Sequence, residues 1–366
     1  MSFEKIKNKL GFGCMRLKMN GDKVDYTEFC KMIDDFLDSG FNYFDTAHGY
    51  IDGKSETAIG DCLSARHRRE SFVLANKLSD WYFETEADIL PLFESQLKAC
   101  KVDYFDFYLF HCLTRKSYPK HKACNSFEII KKLKAEGKIK HIAMSFHDTA
   151  DVLDMILTEQ PCIEAVQLQI NYLDEDDPGV QSKACYEVAV KHGKKVIVME
   201  PVRGGALANL SDKAKAVFDA LGTGASYASY ALRYAASYPD VFMVLSGMGN
   251  TEMMRDNINT FTNFEPLSPV ELYATCLARE IIRKERLIKC TGCGYCTEVC
   301  ANNIPIPDIF KIYNSYLSAD VAKSNVREQL KATTPNAADC AHCKACEKVC
   351  PQAIEINDLL EKITKL

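Results

Sequence analysis

The chain has 366 residues, 47% of them hydrophobic and 26% charged, with a formal net charge of -5. A chain of this length can bury a large core, so we expect one large and one small domain. The slightly acidic balance gives no indication of nucleic acid or an anionic membrane surface as a partner. The charged N-terminus lacks a signal-peptide pattern, and no apolar run reaches the roughly 18 residues of a membrane span. These features predict a cytoplasmic protein.

Cysteine usage supports the same compartment. Eight of the 17 cysteines fall in two short repeats, and the others are scattered without paired spacing. So many loose thiols beside clustered thiolates favour a reducing environment.

Short apolar runs alternate with segments of helical period over residues 1–262. There are eight such runs: 9–13, 42–46, 71–77, 106–111, 140–145, 164–169, 194–200 and 241–247. Continuous apolar strands separated by helices indicate a parallel sheet covered on both faces, and eight units in about 250 residues predict a (β/α)8 barrel. An open doubly wound sheet is the alternative. However, the first run continues as GFGCMR, which has only the first two glycines of the dinucleotide-binding fingerprint.

The helical period is clearest in residues 125–138. Phe127, Ile130 and Leu133 form an apolar stripe, and Gly137 lies where a helix commonly ends in a left-handed residue. We therefore predict a helix here that covers one face of the sheet.

Ionisable side chains follow three successive strands. Asp45, Lys77 and His111 end the second, third and fourth runs, and Tyr50 lies five residues after Asp45. Each type alone has a common structural role, as a turn residue, a solvated lysine or a hydrogen-bonded histidine. Together they suit acid–base chemistry. A lysine ammonium stabilises a phenolate, a carboxylate holds that lysine charged, and an imidazole can donate a hydrogen bond to a carbonyl oxygen.

Eight motifs occur in the order typical of one enzyme family: LGFGCMRL, FDTAHGY followed by GKSETAIG, ANKL, DFYLFHCL, GKIKHIAMS, VQLQINYL and VIVMEPVRGG. Over residues 5–262 the chain resembles the aldo-keto reductases. The resemblance implies a (β/α)8 barrel and hydride transfer between NAD(P)H and a carbonyl or alcohol. It assigns the family's catalytic tetrad to Asp45, Tyr50, Lys77 and His111, with Tyr50 as proton donor.

The resemblance also implies a nicotinamide site. Its positions fall on Met15, Arg16, Ser145, Gln167, Met199 and Asn257. Ser145 and Gln167 would hold the carboxamide of the ring and so set the hydride geometry.

Several of these positions depart from the family pattern. Met199 replaces the usual stacking aromatic, and Phe146 replaces the asparagine that usually follows the serine. Gly247 and Met253 replace the basic residues that commonly bind the 2′-phosphate, while Arg255 is two positions off the pattern. NAD and NADP therefore both stay open as cofactors.

The two cysteine repeats are CTGCGYCTEVC (290–300) and CAHCKACEKVC (340–350). Structural zinc sites usually split two C-x2-C pairs across a longer loop, whereas C-x2-C-x2-C-x3-C occurring twice is the run of a two-cluster ferredoxin. In that run the fourth cysteine of each motif serves the other cluster. One predicted 4Fe-4S cluster is held by Cys290, Cys293, Cys296 and Cys350, and the other by Cys340, Cys343, Cys346 and Cys300.

The intervening segment, residues 308–330, has a helical pattern and exceeds what a minimal ferredoxin needs. The C-terminal part resembles the ferredoxin-like domain found on one branch of the aldo-keto reductases. We therefore predict a barrel over residues 1–282 and a small α+β iron-sulfur domain over residues 283–366.

Three functions are compatible with these features. The first is an oxidoreductase acting on a small carbonyl or alcohol with NAD(P)H, with clusters that transfer single electrons or only stabilise a small core. The second draws electrons through the clusters from ferredoxin or another carrier, and the third is a non-catalytic docking subunit. The intact tetrad argues against the third. The predicted pocket rim is apolar or aromatic: Trp81, Tyr82, Phe83 and Leu113.

Overall fold

The computed structural model describes residues 3–262, 264–285, 287–317 and 322–366. The chain divides into two compact units, one of Met1–Pro201 with Ser229–Leu267 and one of Val202–Ala228 with Ser268–Leu366. This division differs from the predicted boundary after residue 282. The boundary between sequence domains stays a prediction, because compact units are defined by contacts and not by sequence.

The first unit contains ten strands in its described residues: β1 (Leu10–Gly13), β2 (Met19–Asn20), β3 (Lys23–Val24), β4 (Tyr43–Asp45), β5 (Val73–Ser79), β6 (Phe105–Leu113), β7 (Ile139–Phe146), β8 (Ala165–Gln169), β9 (Lys195–Met199) and β10 (Val241–Ser246). Eight of them are parallel and close into a barrel in the order β1-β10-β9-β8-β7-β6-β5-β4. Strands β2 and β3 form a separate antiparallel pair. All eight predicted runs are barrel strands, and the predicted (β/α)8 fold is confirmed.

Sixteen α-helices are assigned in the described residues. They are α1 (Tyr26–Asp38), α2 (Lys54–Ile59), α3 (Glu86–Cys100), α4 (Tyr118–Ala123), α5 (Ser126–Ala135), α6 (Ala150–Glu159), α7 (Ser182–Lys191), α8 (Asp212–Asp219), α9 (Tyr227–Ala236), α10 (Thr251–Thr262), α11 (Pro269–Lys284), α12 (Tyr295–Glu298), α13 (Ile306–Leu317), α14 (Lys323–Ala332), α15 (Ala345–Lys348) and α16 (Ile356–Thr364). None of the helices in this part of the chain is both long and apolar enough to cross a membrane.

The barrel interior is filled by side chains from alternate strand positions, as expected for a packed core. Phe107 and Met243 are fully buried there, and the Phe3 ring packs 5.5 Å from that of Phe107. A Cβ added to Gly11 would lie 2.8 Å from the Met243 sulfur, so this position has no room for a larger residue.

Helix α5 illustrates how the covering helices form. The predicted stripe of Phe127, Ile130 and Leu133 is buried, and Gly137 has a φ of +78° just beyond the helix. The predicted helix and its left-handed glycine are therefore confirmed.

The described residues of the second unit contain helices and no assigned strand. The α+β expectation for the cysteine-rich part had included strands. Before the first motif, the side chain of Asn314 accepts from the Ile288 N–H at 2.8 Å and donates to the Ile288 carbonyl at 3.0 Å. Of the predicted helical segment 308–330, residues 318–321 lie outside the described residues, and α13 and α14 flank them.

Candidate functional site

Three neighbouring strands bring the predicted tetrad together at the carboxyl edge of the barrel. Asp45 is the last residue of β4, whereas β5 continues two residues beyond Lys77 and β6 two beyond His111. The register pairs Asp45 with Ala75 and Ser79 with His111 across β4, β5 and β6. Lys77 and His111 therefore lie near strand ends, not at the last residues that the sequence predicted. The edge is the one where barrel enzymes carry their chemistry.

Lys77 forms a buried ion pair. Its Nζ donates to Asp45 Oδ1 at 2.5 Å and to the Thr46 carbonyl at 2.8 Å, and its side chain is 0% exposed. Burial raises the pKa of Asp45 above its ordinary value, while the Lys77 ammonium opposes the rise. A buried charge of this kind persists only when it is paired and hydrogen-bonded. The same Nζ lies 4.7 Å from the centroid of the Tyr50 ring, so the ammonium acts directly on the phenol.

His111 is held in a fixed orientation beside the phenol. Its Nδ1 is 2.6 Å from Ser79 Oγ, and its ring packs against that of Tyr50 at 5.9 Å with an interplanar angle of 76°. Burial lowers the pKa of His111 well below its ordinary value, and the Lys77 charge lowers it further. The imidazole is therefore neutral near pH 7 and can donate a hydrogen bond without carrying charge.

A buried polar network behind Lys77 was missed by sequence reasoning. Asn76 donates to Glu56 Oε1 at 2.8 Å and accepts from the Lys77 N–H at 2.8 Å. Gln96 donates to the Lys77 carbonyl at 2.9 Å. These bonds hold the lysine backbone in place. The available signals were the ANKL and GKSETAIG motifs, which contain Asn76 and Glu56, whereas nothing in the sequence marked Gln96 or Ser79.

The predicted carboxamide ligands lie on adjacent strands β7 and β8, where Ser145 pairs with Gln167. Ser145 Oγ accepts the Cys112 N–H at 2.8 Å. Gln167 Nε2 donates to the Met199 sulfur at 3.6 Å, and its buried Oε1 has no hydrogen-bond partner among the described residues. Since buried polar atoms are rarely left unpaired, this oxygen is suited to accept a ligand N–H.

The other predicted cofactor positions surround the end of β1. Met15 and Arg16 follow that strand, and Arg16 Nη2 lies 3.3 Å from Glu200 Oε1. A Cβ added to Gly247 would lie 3.2 Å from Arg16 Cδ, so the glycine leaves room for the arginine stem. The basic group in this region is therefore paired with a carboxylate of the same chain.

Asn257 is placed on α10, where its Nδ2 donates to Ser246 Oγ at 2.8 Å and ties the helix to the end of β10.

The four residues of the predicted rim differ in exposure. Trp81 is 37% exposed and Tyr82 38% exposed, whereas Phe83 and Leu113 are buried. The last two pack into the protein and offer no accessible surface to a substrate.

The cysteine repeats form a cavity. Its lining brings Cys300 of the first repeat together with Cys340, Cys343 and Cys346 of the second. In the described ranges, no three His, Cys, Asp or Glu side chains lie close enough together to bind one metal ion. In a four-iron cluster each thiolate binds a different iron, so the ligand sulfurs stand further apart than around a single ion.

The other group of cysteines also mixes the two repeats. Burial raises the pKa of the Cys296 thiol, and the nearby thiols of Cys293, Cys290 and Cys350 raise it further. The Gly292 N–H lies 3.4 Å from the Cys290 sulfur and donates to it.

A closed parallel barrel with a buried lysine, carboxylate, phenol and imidazole at its carboxyl edge is the arrangement of a barrel oxidoreductase. Residues 9–274 match the model of the aldo/keto reductase family, and the chain belongs to that family. Residues 289–355 match the model of a 4Fe-4S dicluster domain. The protein is therefore an oxidoreductase of the aldo-keto reductase type with a C-terminal iron-sulfur domain.

Relatives agree with this assignment. An uncharacterized oxidoreductase of Bacillus subtilis, YqkF, is 24% identical over 297 residues, which cover 73% of this chain and 91% of the relative. The holo form of the aldo-keto reductase AKR11C1 from Bacillus halodurans has a TM-score of 0.61 and 25% identity, covering 74% of this chain and 91% of that one. An aldo-keto reductase from Klebsiella pneumoniae in complex with NADPH has a TM-score of 0.60 at 21% identity, covering 73% and 89%, and supports the fold alone.

Proposed function

We propose that the protein reduces a small carbonyl compound to the alcohol, or catalyses the reverse reaction, with Tyr50 as the general acid or base. The observation that carries this proposal is the Lys77 ammonium, which is fully buried, lies 2.5 Å from Asp45 and stands 4.7 Å from the Tyr50 ring. Burying a cation costs free energy, and the ion pair with Asp45 offsets part of this cost. A buried ammonium beside a phenol can stabilise the phenolate form.

The proton chemistry follows from these positions. Tyr50 gives its hydroxyl proton to the carbonyl oxygen as that oxygen becomes negative, and the phenolate left behind is stabilised by Lys77. Asp45 holds the Lys77 side chain in place through their ion pair. The neutral His111 donates a hydrogen bond to the same carbonyl oxygen and so orients the substrate.

The chain's residues fit a nicotinamide as hydride donor. NAD(P)H, when bound, supplies the hydride that the carbonyl carbon receives. The buried Gln167 Oε1, which has no partner in the described residues, would accept a carboxamide N–H, and Ser145 on the neighbouring strand would contribute its hydroxyl. Arg16 and Asn257 complete the proposed contacts, and Met15 and Met199 offer apolar surface. The Arg16 guanidinium is paired with the Glu200 carboxylate, so this arginine gives no reason to prefer a cofactor with a 2′-phosphate. The proposal therefore covers both NADH and NADPH.

We further propose that the C-terminal domain holds two 4Fe-4S clusters by crossed ligation. The ligands are Cys290, Cys293, Cys296 and Cys350 for one cluster, and Cys340, Cys343, Cys346 and Cys300 for the other. The shared cavity of the last four supports this pairing. The clusters, when bound, transfer single electrons, and two of them together can take up the pair that one hydride represents.

A second candidate function is favoured by the ion pair between Arg16 and Glu200. Its guanidinium is paired with Glu200, and the two positions that commonly supply basic residues are Gly247 and Met253. In this version the electrons come from ferredoxin or another carrier through the clusters. The tetrad then only polarises the carbonyl and supplies its proton.

One experiment distinguishes the two candidates. NADH or NADPH is added to anaerobically purified protein while nicotinamide fluorescence and cluster absorbance are followed, with 4-nitrobenzaldehyde as the carbonyl probe. Binding of a nucleotide that is weakened by Gln167→Leu supports the first candidate, and absence of binding by either nucleotide eliminates it.

The same assay tests the proton donor. We expect Tyr50→Phe to abolish turnover without changing the iron content. The matched control is Tyr118→Phe, because Tyr118 also has a lysine over its ring, at 4.6 Å from Lys122, but lies outside the site. Unchanged turnover in Tyr50→Phe would show that the assignment is wrong.

A further inference from the structure

The side chain of Asn357 lies inside the cysteine cavity with an unpaired donor. Asn357 is 3% exposed and lines the cavity together with Cys300, Cys340, Cys343 and Cys346. Its Nδ2 is buried and has no hydrogen-bond partner within the described part of the chain. An amide N–H in this situation is rare because leaving it unpaired is unfavourable, so an acceptor is expected in the cavity.

The cavity offers sulfur as that acceptor. The described residues of its lining are otherwise alanine, isoleucine and leucine, apart from the four cysteines and one further amide, Asn302. The Asn302 Nδ2 donates to the Asp339 carbonyl. The acceptors that the proposed occupant brings to this space are thiolate sulfurs and inorganic sulfides.

The amide of Asn357 is already in contact with one of these sulfurs. The Cys346 Sγ lies 3.6 Å from Asn357 Oδ1, an arrangement in which a protonated thiol donates to the oxygen. A metal-bound thiolate has no proton to donate, so the amide must present N–H to it, either directly or after the terminal group turns by 180°. In both orientations the amide donates an N–H to sulfur.

The position of the side chain is fixed by the backbone. Asn357 lies in the first turn of α16, and its N–H donates to Glu347 Oε1 at 2.9 Å. Glu347 directly follows Cys346 in the chain. This bond joins the start of α16 to the residue that follows Cys346 and so holds the Asn357 side chain beside the Cys346 sulfur.

The two repeats are not equivalent at this position. Helices α13 and α16 begin at Ile306 and Ile356, and the residue after each is Pro307 in the first repeat and Asn357 in the second. Proline has no donor. In the first repeat the Thr297 side chain is hydrogen-bonded to Cys296, and the Gly292 backbone N–H donates to Cys290. A side-chain amide at the second position of the following helix is therefore found in the second repeat and not in the first.

We propose that Asn357 is a positioning residue that donates an N–H···S hydrogen bond to the cluster held by Cys300, Cys340, Cys343 and Cys346, and raises the reduction potential of that cluster alone. The inference rests on the proposed crossed ligation. A hydrogen bond to cluster sulfur stabilises the more negative, reduced form, and such contacts are among the factors that set these potentials.

The test is a redox titration of the full-length holoprotein, prepared anaerobically and followed by electron paramagnetic resonance. In Asn357→Leu, which keeps the side-chain volume and removes the donor, the equilibrium constant for reduction of one cluster should fall about tenfold, or ~59 mV for a one-electron couple. The other cluster serves as an internal control and should not change. Asn357→Gln, which retains an amide donor, should recover part of the shift.

Three outcomes decide the matter. A shift confined to one cluster, at full iron content and with partial recovery in the glutamine variant, supports the proposal. Unchanged potentials in Asn357→Leu at full iron content overturn the role of Asn357 while leaving the clusters in place. Wild-type protein that contains zinc or less iron than two four-iron clusters require overturns the proposed ligation, and this inference with it. If Asn357→Leu loses a cluster, Asn357→Met replaces it as the uncharged variant without a donor and is judged by the same shift.

Discussion

Replacing Lys77 by methionine tests how much the buried ammonium contributes to catalysis. Methionine has a similar shape and no charge, so the substitution removes the cation with little change in packing. With the ammonium 4.7 Å from the Tyr50 ring centroid, taken as the site of phenolate charge, their attraction is about 3.5 kcal/mol at an effective dielectric constant of ~20. If this energy is lost only in the transition state, kcat falls by about 100- to 1,000-fold.

The assay is reduction of 4-nitrobenzaldehyde by NADPH at pH 7, with kcat and KM determined separately. The effect should appear in kcat, because Lys77 acts on charge that develops during proton transfer. Lys122→Met is the matched control. Lys122 also lies over a tyrosine ring, at 4.6 Å from Tyr118, and pairs with Glu159 at 3.0 Å, yet its side chain is 47% exposed.

A kcat for Lys77→Met within twofold of the wild-type value would refute the proposed role of the ammonium. An equal loss in Lys122→Met would refute it as well, because the effect would then not depend on the site.

Two further predictions concern pH and the cluster ligands. Burial lowers the pKa of His121 to about 3, so the unfolded chain takes up a proton near pH 6.5 that the folded chain does not. This histidine alone should lower the free energy of unfolding by about 1.6 kcal/mol between pH 6.5 and 5, and His121→Phe should remove that part of the fall. Urea unfolding, followed by the fluorescence of Trp81, measures the free energy of unfolding of the wild type and of His121→Phe at each pH. The same pH dependence in the two proteins would contradict the reasoning. For the ligands, Cys300→Ser combined with Cys340→Ser should cost one cluster, whereas Cys300→Ser combined with Cys290→Ser should cost both. Iron analysis gives the result, and the opposite order would indicate ligation within each motif.

The barrel was predictable because its signals are local. Each strand is a short apolar run with turn residues at its ends, and each helix has a stripe such as Phe127, Ile130 and Leu133. Such patterns depend only on residues that are close in sequence, so they can be recognised without knowing what packs against them. The strand ends were predicted less accurately, because β5 and β6 continue past Lys77 and His111.

The rim and the cysteine-rich part were predicted less well. Phe83 looks like a pocket residue because it follows Trp81 and Tyr82, but its ring packs 5.5 Å from the buried ring of His121. For the C-terminal part the prediction was an α+β domain, whereas only helices are assigned in its described residues. The difference at Phe83 results from a contact between segments that are distant in sequence.

Residue type and spacing along the chain were sufficient to predict the barrel, the proposed tetrad and the eight cysteines of the repeats. The surroundings of these residues became known from the three-dimensional structure. It placed Ser79 on the His111 imidazole, left Gln167 Oε1 without a partner in the described residues, and put Asn357 beside Cys346. The physical reason is that hydrogen bonding and burial are set by distances between strands and helices. Spacing along the chain does not specify those distances.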